Sequence, residues 1–142
     1  MLGDAPCVPS PAVQGFEWAG GVTQAAPEGG MHNPLRQQLL NQVLQLITLT
    51  RPLVEAVARR DGDLGSQVRR ALSSVALNIS EGFGSAAGDA RLRFESARGS
   101  LYEAQAGLRV AVAWGYLSAE ECAPVLMAGD PLVARVFGLG RR

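Results

Sequence analysis

The sequence predicts an all-α domain of four helices behind a disordered N-terminal tail, and three observations predict it. From Asn33 onward apolar residues recur at steps of three and four, the period of an amphipathic helix, and no segment alternates as a strand does. Turn-forming residues interrupt that pattern at three places: Asp61-Gly62-Asp63, Gly82-Phe83-Gly84-Ser85 and Gly115-Tyr116-Leu117. Before Asn33 the pattern is missing altogether. A chain of 142 residues is long enough for one domain with its own core. With 47% hydrophobic but only 6% aromatic residues, that core must be aliphatic and alanine-rich, which suits close helix packing.

Residues 1–30 hold four Pro and six Gly and show no periodicity, so residues 1–32 are expected to form a disordered tail. Phe16 and Trp18 are its exceptions and could dock as a short anchor. Met31 directly precedes the first periodic segment, and a translation start there is an alternative. The tail lacks a basic start followed by an apolar run, the mark of a secretory leader. No stretch reaches the roughly 20 apolar residues that cross a bilayer. A cytoplasmic protein without membrane association is the expectation.

The domain is expected over 33–138. Its first helix covers about 34–60, with Asn33 able to cap and Pro34 suited to the first helical position. Leu35, Leu39, Val43, Leu46, Thr50, Leu53 and Val57 form its apolar face. Pro52 cannot bond the Thr48 carbonyl, so a kink is expected there, with a break into two helices at Arg51 as the alternative. The second helix, about 64–81, carries two stripes. Leu64, Val68, Leu72, Val75 and Ile79 make the apolar one, flanked by Ala71 and Ala76. Gln67, Arg70, Ser74, Asn78 and Glu81 make a polar one within about a quarter of the circumference. Gly82 is suited to a left-handed helix end.

The third helix, about 89–114, has a faultless heptad seam of Phe94, Ala97, Leu101, Ala104, Leu108 and Ala111. Leu92, Gly99, Ala106, Val110 and Ala113 form a second apolar face. Gly99 and Gly107 each cost the helix about 1 kcal/mol relative to Ala, which suggests a backbone passing close by, from the bundle or from another subunit. The fourth helix, about 118–137, opens on the Ser118–Glu121 capping box. Gly129-Asp130-Pro131 predicts a break near 129–131, and residues 139–142 a short basic tail.

Charge excludes little and points weakly. All 13 bases are Arg, against 13 acids. The first thirty residues hold Asp4, Glu17 and Glu28 and no base, so the remainder stands at +3, well short of a dedicated nucleic-acid binder. Arg59, Arg60, Arg69, Arg91, Arg98 and Arg109, with Arg141 and Arg142, could make a basic surface. No aromatic residues interleave with them to stack bases. Cys7 and Cys122 lie far apart, and His32 is the lone histidine, so no metal site is expected. A di-iron bundle would need Glu-x-x-His pairs, which are missing. No cofactor and no catalytic constellation are expected.

Residues 35–117 resemble the four-helix-bundle family named after the 23S rRNA intervening-sequence proteins, which also includes accessory proteins of diversity-generating retroelements. The resemblance rests on Gln67-Val68-Arg69-Arg70-Ala71, Ser74 and Asn78-Ile79-Ser80-Glu81-Gly82-Phe83-Gly84. It continues through Arg93-Phe94, Gly99-Ser100 with Glu103, and Gly115-Tyr116-Leu117. It implies an antiparallel up-and-down four-helix bundle assembling into a homo-oligomer, commonly a pentamer. The retroelement members resemble basic barrels that engage a reverse transcriptase and nucleic acid. Here Ser85-Ala86-Ala87-Gly88 lacks the basic residues of many relatives, and the fourth helix is less regular.

Two roles are open to the polar residues Gln67, Arg70, Ser74, Asn78, Glu81, Arg93 and Glu103. They could form a binding or catalytic cluster. The expectation is instead a buried, satisfied network that fixes helix register, with Glu81 or Glu103 paired to Arg70 or Arg93. The functional expectation is a non-enzymatic, homo-oligomeric scaffold or adaptor that binds a macromolecular partner, protein or RNA. The alternative is a nucleic-acid-binding accessory factor acting with rRNA or a reverse transcriptase.

Overall fold

Four helices carry nearly all of the chain that the computed structural model describes, residues 33–142: α1 (Pro34–Arg60), α2 (Gly62–Gly84), α3 (Ala87–Ala113) and α4 (Ala119–Gly140). No strand occurs among the described residues. The expectations for residues 1–32, including the tail, Cys7, Phe16, Trp18 and His32, lie outside them.

Each helix begins on a local signal except one. Asn33 Oδ1 accepts from the Leu35 and Arg36 amides at 3.1 and 3.3 Å, with Pro34 at the first helical position. Asp61 ends α1 and starts α2, its side chain accepting from the Leu64 amide at 2.9 Å. Both bonds of the Ser118–Glu121 capping box form at α4. Ala86 starts α3 without a side-chain bond; Asp89 in the first turn still complements the helix dipole. α3 ends in a Schellman arrangement. Tyr116 N–H donates to the Ala111 carbonyl at 2.8 Å and Gly115 N–H to Val112 at 2.9 Å, with Gly115 at φ +75°.

The expected span of α1 holds and its alternative break is excluded, while the end of α2 and the interior of α4 differ from the sequence expectation. α1 is a single helix through Pro52, so the break at Arg51 does not occur. Pro52 and Thr48 are both exposed, which puts the missing hydrogen bond on the solvent side. α4 is likewise unbroken at 129–131, and Pro131 is exposed one turn beyond exposed Met127. Asp130, at the expected break, accepts from Gln105 Nε2 of α3 at 3.0 Å. Gly129 lies under the same Gln105, and a Cβ there would come within 2.9 Å of Nε2. The helix therefore takes in Leu139 and Gly140, leaving Arg141 as its cap. α2 runs on through Gly82, which has no positive φ and is buried. A Cβ at Gly82 would meet Phe94 Cε1 at 2.7 Å, so this glycine makes room for a ring.

Contacts join the end of α1 to the start of α2 and the end of α2 to the start of α3. Gly82 meets Phe94 and Gly107 meets Val68 across α2 and α3; Ala58 meets Gly65, and Arg36 meets Ser80, across α1 and α2. α2 and α3 share the broadest contact, and α4 closes on α1 most thinly. Arg135 Nη1 donates to Gln42 Oε1 at 2.6 Å across that last seam.

The core is aliphatic. All six residues of the α3 seam are buried, as are Val68, Leu72, Val75 and Ile79 of α2 and Leu39, Val43, Leu46, Val54 and Val57 of α1. Each fully buried Leu or Ile side chain contributes about 1.5–3 kcal/mol. Thr50 is the buried polar side chain, and its hydroxyl donates to the Leu46 carbonyl of its own helix at 2.6 Å. α4 supplies Cys122, Val125, Leu132 and Val136. Because it is unbroken, α4 is long and apolar enough, by length and composition, to cross a membrane, contrary to the expectation that no stretch is. Here its apolar face packs on α3 and α1.

Candidate functional site

Two members of the polar stripe of α2, Ser74 and Glu81, reach side chains of α3. Ser74 Oγ accepts from Asn78 Nδ2 at 3.0 Å and from Ser100 Oγ of α3 at 2.9 Å. The same Asn78 Nδ2 donates to the Ser74 carbonyl at 2.9 Å. Arg93 Nη1 of α3 pairs with Glu81 Oε2 at 3.0 Å. Arg36 Nη2 of α1 donates to Ser80 Oγ of α2 at 3.0 Å.

The expected buried network is corrected in two respects. Ser74, Asn78 and Ser100 are half-buried, and Arg93 and Glu81 are 50% and 52% exposed, because the stripe centres on α2's outer flank. An ion pair so exposed contributes about 0–1 kcal/mol. Gln67, Arg70 and Glu103 are exposed and enter none of the side-chain hydrogen bonds or ion pairs among the described residues. Arg70 instead lines an open groove of about 440 Å³ with Arg69, Leu77, Asn78, Glu81 and Arg93. Ser100 lies outside the residues expected to form the network, although the Gly99-Ser100 segment of the family resemblance contains it.

The candidate basic surface divides between the two ends of the domain. Arg59 and Arg60 close α1, with the Arg60 guanidinium 5.5 Å from the Tyr116 ring centre. At the opposite end, Arg91 pairs with Glu95 at 3.1 Å and Arg98 lies 5.0 Å from the Phe137 ring centre. Arg69 lines the α2 groove, and Arg109 is exposed on α3. Cys122 is buried, and burial, with Glu121 beside it, pushes its thiol pKa up, away from reactivity. Among the described residues no group of three or more His, Cys, Asp or Glu could hold a metal ion.

The second apolar face of α3 is the larger surprise. Leu92, Gly99, Ala106, Val110 and Ala113 are all exposed, Leu92 by 61% and Val110 by 42%, with Trp114 exposed beyond them. A Cβ added at Gly99 would meet nothing within 4 Å. Gly107 is opposite in kind: a Cβ there would lie 2.5 Å from Val68 Cγ2. The bundle itself thus accounts for one mid-helix glycine of α3 and not for the other.

Four helices joined by short turns, with hydroxyls, an amide and an ion pair gathered along one seam, define a small helical-bundle protein. Residues 37–132 match the family model described as 23S rRNA-intervening sequence protein, and the chain belongs to that family. Comparison with curated proteins and with solved structures gave no match.

Proposed function

We propose that this protein is a non-enzymatic homo-oligomeric scaffold whose copies meet through the outward face of α3, and which presents the assembly to a macromolecular partner. The outward face of α3 carries this reading. Single exposed apolar residues are ordinary, but Leu92, Gly99, Ala106 and Ala113 recur every seven residues with Val110 beside them, which places a small or apolar residue on this side of α3 in every heptad. Gly99 allows a second helix to approach at the cost of helix propensity. The polar seam supports a holding role: the Ser100–Ser74 hydroxyl bond and the Arg93–Glu81 pair tie α3 to α2, and Asn78 of α2 also donates to Ser74. A ring of five copies, the assembly implied by the resemblance to its family, would satisfy this face.

Light scattering of the purified protein tests the proposal. A mass of several chains is the expected result, and a single-chain mass at micromolar concentration overturns it. The family's description, 23S rRNA-intervening sequence protein, names an rRNA context, which makes RNA the first partner to test. A salt-titrated binding assay with rRNA fragments addresses that reading, in which affinity falls steeply with salt.

A further inference from the structure

The start of α3 and the end of α4 enclose a cleft of about 390 Å³, at the end of the domain away from the Arg59–Arg60 pair. Gly140 lets the last turn of α4 close on α3, where a Cβ would already touch Phe94 and Glu95 at 3.9 and 3.8 Å. Arg91, Arg98, Arg141 and Arg142 all line this cleft. Glu95 is the one carboxylate side chain in its lining, and it is already engaged by Arg91.

The arginines are held in an unusual way. The Arg98 and Arg141 guanidinium groups lie 5.0 and 4.9 Å from the centre of the Phe137 ring. A cation held against a ring is fixed through its flat face, which leaves its N–H donors on the rim unspent. Neither side chain enters a hydrogen bond or ion pair among the described residues. With Arg91 paired to Glu95, the Arg98, Arg141 and Arg142 side chains leave a surplus of positive charge in the cleft lining, which a multivalent anion offsets while accepting the free donors.

We propose that this cleft binds a compact oligophosphate, either a free condensed phosphate or the phosphate tail of a nucleotide. A compact ligand fits better than a nucleic-acid strand. The Phe137 ring is engaged by guanidinium groups and not open for stacking a base, and Arg59 and Arg60 at the far end do not extend the cleft into a track. The cleft is complete within one chain, so the inference does not rest on the proposed assembly.

Calorimetric titration of the whole protein at low salt tests it, with tripolyphosphate, ATP and a single-stranded RNA as separate probes. Saturable binding of tripolyphosphate, one per chain, is expected. Binding of ATP and tripolyphosphate alike identifies the condensed phosphate as the recognised group; a clear preference for ATP identifies a nucleotide. The Arg98→Gln/Arg141→Gln variant should weaken binding about tenfold or more, through loss of charge-assisted donors. Phe137→Leu keeps all four charges and should weaken it by a smaller factor, because the guanidinium groups lose their support. An Arg59→Gln/Arg60→Gln control should bind as the parent does. Absence of tripolyphosphate binding overturns the proposal, as does equal loss in the control variant. RNA binding that tripolyphosphate does not displace overturns it too, in favour of a strand-binding surface. All variants alter side chains outside the core, and circular dichroism verifies that each is folded.

Discussion

The inner face of α3 repeats every three or four residues and the outer face chiefly every seven, and the two meet different surroundings. Phe94, Ala97, Leu101, Ala104, Leu108 and Ala111 are buried to the last residue, while Leu92, Gly99, Ala106, Val110 and Ala113 face outward uncovered. The two glycines divide the same way, Gly107 wedged against Val68 and Gly99 in open space. A heptad of small and apolar residues therefore says that a face can be packed, and not by what. On the inner side the answer is within the chain. On the outer side we assign it to a second copy.

The largest expected effect lies on the inner face. Leu101→Ala should destabilise the chain by about 2–5 kcal/mol, whereas Leu92→Ala should change the stability of the isolated chain by less than about 0.5 kcal/mol. Urea unfolding of both variants in dilute solution measures the contrast, and equal losses would erase it. Gly107→Ala comes next, at about 1–3 kcal/mol from forcing Val68 aside. Val68→Ala in the same chain should offset part of that loss, which a double-mutant cycle reads directly.

Gly99→Ala should go the other way, stabilising the isolated chain by about 1 kcal/mol through helix propensity while loosening the assembly. Thermal melts of dilute protein, paired with sedimentation, separate the two effects. Asn78→Ala should cost about 1 kcal/mol, since the Ser74–Ser100 bond survives it, and Glu81→Gln less than about 0.5 kcal/mol. The smallest effect is the alkaline one. Burial raises the Cys122 pKa above its usual 9.0, so its contribution is full below about pH 9 and is lost as pH rises through the raised value. Cys122→Ala should remove that slope from a pH series of melting temperatures.

Much of this was legible in the residues. The seams of α1, α2 and α3 and the caps at Asn33 and Ser118 are local patterns, and local physics decides them. Gly129-Asp130-Pro131 misled because its local meaning, a stop and a restart, was overridden by Gln105 of α3 and by solvent around Pro131. Gly82 misled in the same way, since a glycine needed for space looks identical to one needed for a left-handed turn. The polar stripe was visible as a stripe. Which members would find partners was not, because Ser100 and Arg93 come from the neighbouring helix and Arg70 and Glu103 face outward. The cleft around Phe137 was invisible for the same reason that α4 appeared broken: only an unbroken helix carries Phe137 and Arg141 to the start of α3.

Gly99→Arg tests the central claim most directly, because the substitution meets open space in one chain and would meet a second copy in the proposed assembly. Light scattering should give a multi-chain mass for the parent and a single-chain mass for Gly99→Arg, with the variant's helical content intact. An unchanged multi-chain mass in Gly99→Arg would show that the copies meet elsewhere and contradict the assignment of α3's outward face.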